Sequence, residues 1–413
     1  MAKERLIASI DIGNHKIRTA IGIVDAEKKT PTIIGVGVYP SHGLRKGQVI
    51  DVEETINAIS HSLEEAERMS GEPIHHVFVG LGGPHLEAIE AKGVIATQGE
   101  EIIDSDVERV LETAQAISIP QNKQVLKIIP KFFAIDSQKG IRYPVGMVGK
   151  KLEVEAHIIS GLHPAIKNIE KCVHEAGVDI DDLIPNSLAA GEAVLSKRQK
   201  ELGVVSIDIG HGSTSVAVYE EGALLHTVVL PIGGENVTND IAIGIRTSLD
   251  VAEKLKMEFG TCDLEDIKQS EEIRLSDLSP NETESIPRLY LSQIIEARYH
   301  EILMMVKNEL KKIRRDGMLP AGAVLSGGGA KIPGLIELTR NTLSLPVQIS
   351  VPTEVTGVVE RVEDPAFATA VGLLVWGSRI ESQNYGFNLS MKNMGSVKNM
   401  FGKAKGFIQK LLP

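Results

Sequence analysis

A pentapeptide that occurs twice constrains this chain more than any other feature. Ser9-Ile10-Asp11-Ile12-Gly13 returns as Ser206-Ile207-Asp208-Ile209-Gly210. Apolar runs lead into both copies, Leu6-Ile7-Ala8 and Val204-Val205, and β-rich runs follow, Ile17 to Val24 and Ser215 to Tyr219. Each unit predicts strand, tight glycine turn, strand: a β-hairpin with a carboxylate at its bend. Short fixed periods mean solenoids. One long-range copy in 413 residues instead predicts two similar lobes facing each other.

The turns carry the chemistry. Glycine lets backbone N–H groups approach an anion closely, and consecutive N–H groups in such a turn form an anion-binding nest. An Asp at the bend repels phosphate but can orient Mg²⁺ against it, usually through water. Two such hairpins would grip a nucleotide tail from both sides; two ordinary buried strands ending in turns are the bland alternative. Lys16 and Arg18 lie just past the first bend and could reach phosphate oxygens, or could be solvated strand charges. The second turn, Gly210-His211-Gly212-Ser213-Thr214, offers two glycines and two hydroxyls.

Composition excludes several classes. The length predicts two to four domains or subdomains. The formal charge of −11 argues against a nucleic-acid binder. Cys172 and Cys262 lie far apart with no second Cys or His at metal-ligand spacing, which fits a reducing compartment without disulfides or structural zinc. Met1 to Arg5 runs straight into the first strand, so no signal peptide is expected. No apolar run approaches the ~18–20 residues that span a bilayer.

Between the hairpins, Thr55 to Met69 has helical spacing, with a stop at Gly71-Glu72-Pro73. Val77 to Val79 reads as a short buried strand closed by Gly80 to Pro84. Residues 85 to about 162 read as an inserted α+β module: a strand to Ala96, a capping box at Ser105-Asp106-Val107-Glu108 opening a helix through Ile117, then strands at Val125 to Ile129, Phe132 to Ile135 and Leu152 to Ile159. His157 and His163 in and after it read as structural. Pro164 to Ala176 reads as a helix capped by Gly177, Ser187 to Leu195 as a small-residue helix, and Lys197 to Glu201 as a charged turn.

After Ile232-Gly233-Gly234 the pattern is helical to Phe259, with Gly260 as the stop. Glu253 and Lys256 share a face there, which by itself reads as an exposed i,i+3 ion pair. Asp263 to Glu284 is acidic and irregular, and Ile286 to Arg315 reads as a long helix with a basic end. Ala321 to Lys331 is strand, triple-glycine turn (Gly327, Gly328, Gly329) and helix start, where a ligand could lie against backbone. Neither a P-loop nor a dinucleotide-binding GxGxxG opens a helix after a strand. Asp364 to Trp376 reads as the last helix of the body.

The tail has its own character. From Ser382 to Pro413 there are five Lys and no Asp, Glu or Arg; subtracting that +5 from −11 leaves −16 on the remainder. Residues 381–396 read as a flexible linker. In 397–413, at ~100° per residue, Val397, Met400, Phe401, Ala404, Phe407, Ile408, Leu411 and Leu412 fall within roughly 140°. Lys398 and Lys405 border one side, Lys403 and Lys410 the other. An apolar stripe bordered by lysines predicts a helix lying in an anionic membrane surface, the alternative being a docking helix. Gly402 and Gly406 cost about 1 kcal/mol each in a helix. One tail should therefore bind weakly and reversibly, and many tails on one polymer firmly.

Two phosphate hairpins, a late glycine-rich strand–turn–helix and two small-residue helices between lobes resemble the actin-like ATPase superfamily. Gly233 to Ala242, Ala252 to Lys256, Ser326 to Gly334, the inserted module and the terminal amphipathic stretch resemble the FtsA family of bacterial division proteins over essentially the whole chain. The resemblance implies an α/β fold: an actin-like, ribonuclease H-like duplicated two-lobed ATPase fold with an inserted α+β subdomain in the first lobe and a C-terminal amphipathic helix. The implied division is 1–84 first lobe with the phosphate 1 hairpin, 85–162 inserted subdomain, 163–201 return to the first lobe, 202–235 second lobe with the phosphate 2 hairpin, 236–317 an outer subdomain, 318–363 the adenosine motif, 364–380 the final first-lobe helix, 381–396 linker and 397–413 membrane helix.

The same resemblance implies ATP and Mg²⁺. Asp11, Gly13, Asn14, His15, Lys16 and Arg18 would form the first phosphate loop. Asp208, Gly210, His211, Gly212 and Ser213 would form the second, with Gly233 and Gly234 beside it. Glu253 and Lys256 would contact ribose and adenine, reversing their reading as an exposed pair. Gly327, Gly328, Gly329 and Lys331 would back the adenosine, and Asp11 and Asp208 would hold Mg²⁺ through water. Implied partners are further copies of the chain in filaments, the cytoplasmic membrane face at the division site, later division proteins and the C-terminal peptide of the tubulin-like FtsZ, with Arg298 and Lys307 as its contacts. Asn186-Ser187 stands where many relatives carry Glu-Pro; Asn is a poor base, so at most weak ATPase activity is expected. The rivals are a PilM-like scaffold for pilus assembly, a sugar or acetate kinase lacking a visible catalytic acid or base, and a heat-shock chaperone lacking its large substrate domain.

Overall fold

Asp11 and Asp208 occupy the same place in two copies of one sheet. The computed structural model describes residues 4–25, 30–97, 99, 101–116, 120–265, 267–280 and 282–380. The tail expectations, linker 381–396 and amphipathic stretch 397–413, lie outside these described residues, as does Ile117.

The first lobe opens with β1 (Arg5–Ile12), β2 (Lys16–Val24), β3 (Thr32–Pro40), the short pair β4 (Leu44–Arg45) and β5 (Gln48–Val49), α1 (Val52–Ser70) and β6 (His76–Leu81). α1 starts where the Asp51 carboxylate accepts from the Glu54 N–H, and ends where Gly71 turns left-handed at φ 76°. The inserted module is β7 (Glu87–Ala96), α2 (Asp104–Gln115), β8 (Lys123–Ile135), β9 (Gln138–Ile141) and β10 (Lys151–Leu162). The chain returns through α3 (His163–Glu175), β11 (Asp179–Pro185), α4 (Asn186–Val194) and α5 (Lys197–Leu202).

The second lobe holds β12 (Val204–Ile209), β13 (Thr214–Glu220), β14 (Ala223–Leu230), α6 (Gly234–Ile245), α7 (Leu249–Phe259), β15 (Glu272–Arg274), β16 (Ser285–Pro287), α8 (Arg288–Lys312), β17 (Ala323–Ser326), α9 (Leu335–Leu343) and β18 (Val347–Ile349). Then β19 (Thr356–Gly357) and α10 (Ala368–Ile380) rejoin the first lobe.

Both sheets follow one plan. The first runs β11-β6-β1-β2-β3 with β19 added at the edge, the second β18-β17-β12-β13-β14. The antiparallel registers match, Asp11 opposite Arg18 and Asp208 opposite Ser215. Each central strand also has a parallel neighbour, which places Gly80 beside Asp11 and Ser326 beside Asp208. Burial on both faces explains why β1 and β12 read as nearly continuous apolar runs.

α4 and α10 cross between the lobes, and small residues let them do so. Ala189, Ala190 and Ala193 on α4 meet Ala368, Ala370 and Gly372 on α10, and all five alanines are buried. A Cβ on Gly372 would lie deep inside contact distance of the Ala189 carbonyl. Within the module, α2 packs Val107, Val110 and Leu111 onto a sheet of order β7-β10-β8-β9. Ion pairs tie the module down: Lys127 to Asp182 of β11 at 2.5 Å, and Arg142 to both carboxylate oxygens of Glu201 on α5 at 2.5 and 2.8 Å. His157 is buried and His163 meets Gln124 at 3.0 Å, in keeping with structural roles.

Several local expectations are corrected. Ser105 does not cap α2; Ile103 is the N-cap, and its N–H donates to the Asp106 carboxylate at 3.2 Å. Val125–Ile129 and Phe132–Ile135 are parts of one strand, because a bulge at Lys131 absorbs the donor that Pro130 lacks. Lys197–Glu201 is helical, capped by the Ser196 hydroxyl accepting from the Gln199 N–H at 3.2 Å. The helix expected to run unbroken to Phe259 is two, since Arg246 turns left-handed (φ 61°) and Ser248 caps α7. Ile286 belongs to β16, so α8 starts at Arg288. Asp364 caps a 3-10 turn ahead of α10, accepting from the Ala366 N–H at 2.9 Å.

The α4–α10 crossing predicts a mutant. Gly372→Ala must push the helices apart, and overpacking of this kind costs about 1–3 kcal/mol. A lowered urea midpoint is expected; an unchanged midpoint would show that the crossing is loose.

Candidate functional site

The two hairpin bends face each other across a cleft of about 490 Å³. Gly13 is required because a Cβ there would lie 2.6 Å from the Lys16 carbonyl. In the second turn the Gly210 N–H donates to Ser213 O at 2.9 Å. The first turn of α6 holds that loop from behind: Gly234 N–H donates to Gly210 O at 2.9 Å and Glu235 N–H to His211 O at 2.7 Å. A Cβ on Gly233 would lie 2.6 to 2.8 Å from atoms of Gly210, His211 and Ser213. The bends meet directly, with the rings of His15 and His211 stacked at 4.9 Å and the Asn14 amide packed on Gly212. Burial pushes both imidazoles below their ordinary range, so both are neutral at pH 7.

Asp11 and Asp208 are the electrostatic centre. Burial pushes Asp11 up to about 6, opposed by Arg18, whose guanidinium lies 3.9 Å away. Burial and then the charge of Asp11 push Asp208 up to about 7, against hydrogen bonds from Ser326, at 3.3 Å, and Thr369. Two buried carboxylates that resist ionisation are suited to a cation that neutralises both. Among the described residues no three His, Cys, Asp or Glu side chains cluster to hold a metal, so a cation here would complete its shell with water and phosphate.

At the other end of the cleft, Glu253 and Lys256 form a network rather than a solvated pair. Lys256 Nζ donates to Glu253 at 2.6 Å, Thr238 at 2.8 Å and Gly234 O at 3.2 Å, and the Thr238 hydroxyl donates to the same carboxylate. Lys256 is 7% exposed, which overturns the reading as an exposed surface pair. Burial pushes Glu253 up, but Lys256 and the hydrogen bonds outweigh it and hold it below its ordinary value. Gly327, at φ 85°, admits no side chain: a Cβ would meet Asp208 Oδ1 at 2.5 Å. Gly329 is anchored through its carbonyl by the Tyr299 hydroxyl at 2.9 Å, while Gly328 faces open space.

All the sequence-derived nucleotide candidates line the cleft except Gly233, which braces it from behind. Lys331 is tied to Asp364 at 2.7 Å and Arg18 lies over the Phe367 ring. Arg298 and Lys307 do not line the cleft and are engaged: Arg298 pairs with Asp240 and Glu301, and Lys307 donates to Thr342 O at 2.7 Å. Met257, Tyr299, Thr369 and Gly47 line the cleft without a sequence signal. Asn186, singled out in the sequence as a poor base, lines it as well, with its Oδ1 buried and unpartnered. An acceptor on the cleft wall without a protein partner and two carboxylates that resist ionisation fit a nucleotide carrying a divalent cation.

The chain is similar to known proteins on several counts. Residues 205–372 match the model of the family "Cell division protein FtsA", and residues 83–160 that of the "SHS2 domain inserted in FTSA". The FtsA of Bacillus subtilis is 38% identical over 394 residues, 94% of this chain and 88% of that one. The Pseudomonas aeruginosa protein is 37% identical over 387 residues, 94% and 92%; that of Escherichia coli K12 is 35% identical over 380, 90% of each. Among solved structures, the PilM-PilN type IV pilus biogenesis complex aligns at TM-score 0.66 with 18% identity, covering 90% of this chain and 98% of that one. MreB5 of Spiroplasma citri bound to ADP aligns at 0.55 with 15% identity, covering 91% and 97%. At these identities the structural matches establish the actin-like fold alone.

The buried carboxylates set a pH dependence. Unfolded Asp titrates near 3.8, native Asp208 near 7. Between those values the native state holds a proton the unfolded chain has lost, so stability falls as pH rises through the window. Asp208→Asn should therefore be more stable than the natural chain at pH 8, with the gap narrowing by about 1–3 kcal/mol at pH 5. Urea unfolding at both pH values checks this; a pH-independent gap would contradict it.

Proposed function

The chain belongs to the FtsA family of cell division proteins, and from that premise we propose that it binds ATP with Mg²⁺, polymerises on the cytoplasmic face of the membrane and anchors FtsZ filaments there. One observation carries the nucleotide reading: Asp11 and Asp208 end twin hairpins in the same register and face each other across one cleft. The turns at Gly13–Lys16 and Gly210–Ser213 would take the phosphates. Asp11 and Asp208 would hold Mg²⁺ through water, and the ion would neutralise the phosphate tail. Lys256 and Glu253 would meet the ribose and adenine, with Gly327–Gly329 behind them and Lys331 at the rim. The first-lobe, inserted, second-lobe and outer divisions drawn from the sequence remain part of this reading.

Hydrolysis is expected to be slow. The Asn186 Oδ1 is an unpartnered acceptor on the cleft wall, able to hold a water but unable to take its proton at neutral pH. Purified protein with ATP–Mg²⁺ should release phosphate at well under about one per minute. A rate of several per minute without a partner would refute this.

Membrane attachment rests on the sequence pattern of 397–413. Binding of the FtsZ peptide near Arg298 and Lys307 would have to compete with the Asp240 and Glu301 pairs. Self-assembly and recruitment of later division proteins complete the proposal. A pilus-scaffold role is supported only by likeness of fold, while the 35–38% identical relatives are division proteins. Liposome co-sedimentation with ATP–Mg²⁺ tests the tether. The full chain should pellet, more strongly on anionic than neutral lipid, and a shortened chain ending at Ser390 should stay in solution. If both stay in solution under conditions that support polymerisation, the stretch is a docking helix instead.

A further inference from the structure

A second, smaller cavity of about 250 Å³ adjoins the nucleotide cleft. Asn14, His15 and His211 line both, so one layer of side chains separates them. The far wall adds Ser41, His42 and Arg45 from the first lobe and Glu235 from the second.

Two observations mark this cavity as more than a gap between lobes. Ser41 is 2% exposed, yet its hydroxyl has no hydrogen-bond partner. Ser41 lines the cavity, and a buried hydroxyl without a partner is a donor that an acceptor would satisfy. Arg45 is exposed and, among the described residues, makes no ion pair. Its mount is rigid. The β4–β5 hairpin turns at Lys46 (φ 49°) and Gly47 (φ 73°), the two left-handed residues of a tight hairpin. The Gly47 N–H donates to Asn14 Oδ1 at 2.9 Å, and the Ser41 N–H donates to His15 O at 2.9 Å. Both elements of the far wall are thus pinned to the first phosphate turn.

The lining selects a ligand class. A guanidinium, a hydroxyl and imidazole N–H groups face a single carboxylate, Glu235. Among the described residues no three metal-ligating side chains cluster, so the lining suits an anion rather than a cation. The cavity has about half the volume of the nucleotide cleft, which favours a small ion. Glu235 can accept a hydrogen bond but cannot donate one, so it favours an oxyanion that carries its own proton. Hydrogen phosphate has such a proton at neutral pH and sulfate does not.

We propose that this cavity is a binding site for free inorganic phosphate, held by Arg45, Ser41 and His42 and walled from the nucleotide cleft by Asn14 and the His15–His211 stack. Exposed His42, Arg45 and Ile50 open it to solvent, so it fills from solution whether or not the cleft is occupied. The site goes beyond the nucleotide reading and does not depend on it.

Isothermal titration of the full chain with inorganic phosphate tests the site, first nucleotide-free and then with a non-hydrolysable ATP analogue and Mg²⁺. Saturable binding in the millimolar range is expected in both states. Arg45→Ala should weaken it about tenfold. Ser41→Ala should weaken it several-fold, and sulfate should bind about tenfold more weakly than phosphate. Arg45 has no ion pair to lose, so its variant keeps the fold, and it should bind the ATP analogue like the natural chain. No saturation by about 20 mM phosphate would overturn the proposal. Equal binding by the natural chain and Arg45→Ala would also overturn it, as would displacement of phosphate by the analogue, which would place it in the cleft. Should the analogue itself fail to bind, the nucleotide reading falls, and the nucleotide-free titration of the two variants still decides this one.

Discussion

Two carboxylates buried at the meeting of two lobes are the constraint on which the rest of this structure depends. Burial raises the cost of ionising both Asp11 and Asp208, and the charge of Asp11 raises that of Asp208 further. Such an arrangement persists only where the surrounding fold over-determines it. Here the parallel neighbours do so: β6 brings Gly80 beside Asp11, and β17 brings Ser326 to hydrogen-bond Asp208. Arg18 and Thr369 offset part of the remaining cost. A divalent cation between the two carboxylates would relieve the cost that is left.

Close approach of backbones is the second theme, and glycine and alanine make it possible. Gly327 turns left-handed directly under Asp208, where any Cβ would strike the carboxylate. Gly233 lets the start of α6 lie against the second phosphate turn and spend its first N–H groups on that turn's carbonyls. Those donors thus shape the loop instead of contacting a ligand. The alanines of α4 and α10 do for the lobes what the glycines do for the turns. A hinge made of small residues brings the sheets near enough for His15 to stack on His211.

The inserted module is held to the body by charge, through Lys127–Asp182 and Arg142–Glu201. Apolar contact holds it as well, since Ile159 of β10 lies in the core shared with α4 and α10, while α2 and its sheet keep a core of their own.

The duplicated pentapeptide determined by itself that there would be two hairpins, two lobes and two facing acids, because strand periodicity and turn chemistry are local. The same holds for the Gly71 stop of α1, though not for its start at the Asp51 cap, and for the triple-glycine turn. Other features were not legible, because they depend on partners distant in the chain. β11 reads as a polar run, and it is a strand only because β6 offers it an edge. Val125–Ile129 and Phe132–Ile135 read as two strands; they are one only because β10 pairs with both sides of the bulge at Lys131. Glu253 and Lys256 look like a surface pair at helical spacing; only the packing of α6 on α7 buries them together with Thr238. Ser41 and Arg45 carry no motif at all. Sequence alone could say what each bend would attract, since that follows from residue type and local backbone. Which side chains lose their water, and so become strong, was decided by the tertiary structure, because desolvation is a property of everything that packs around a group.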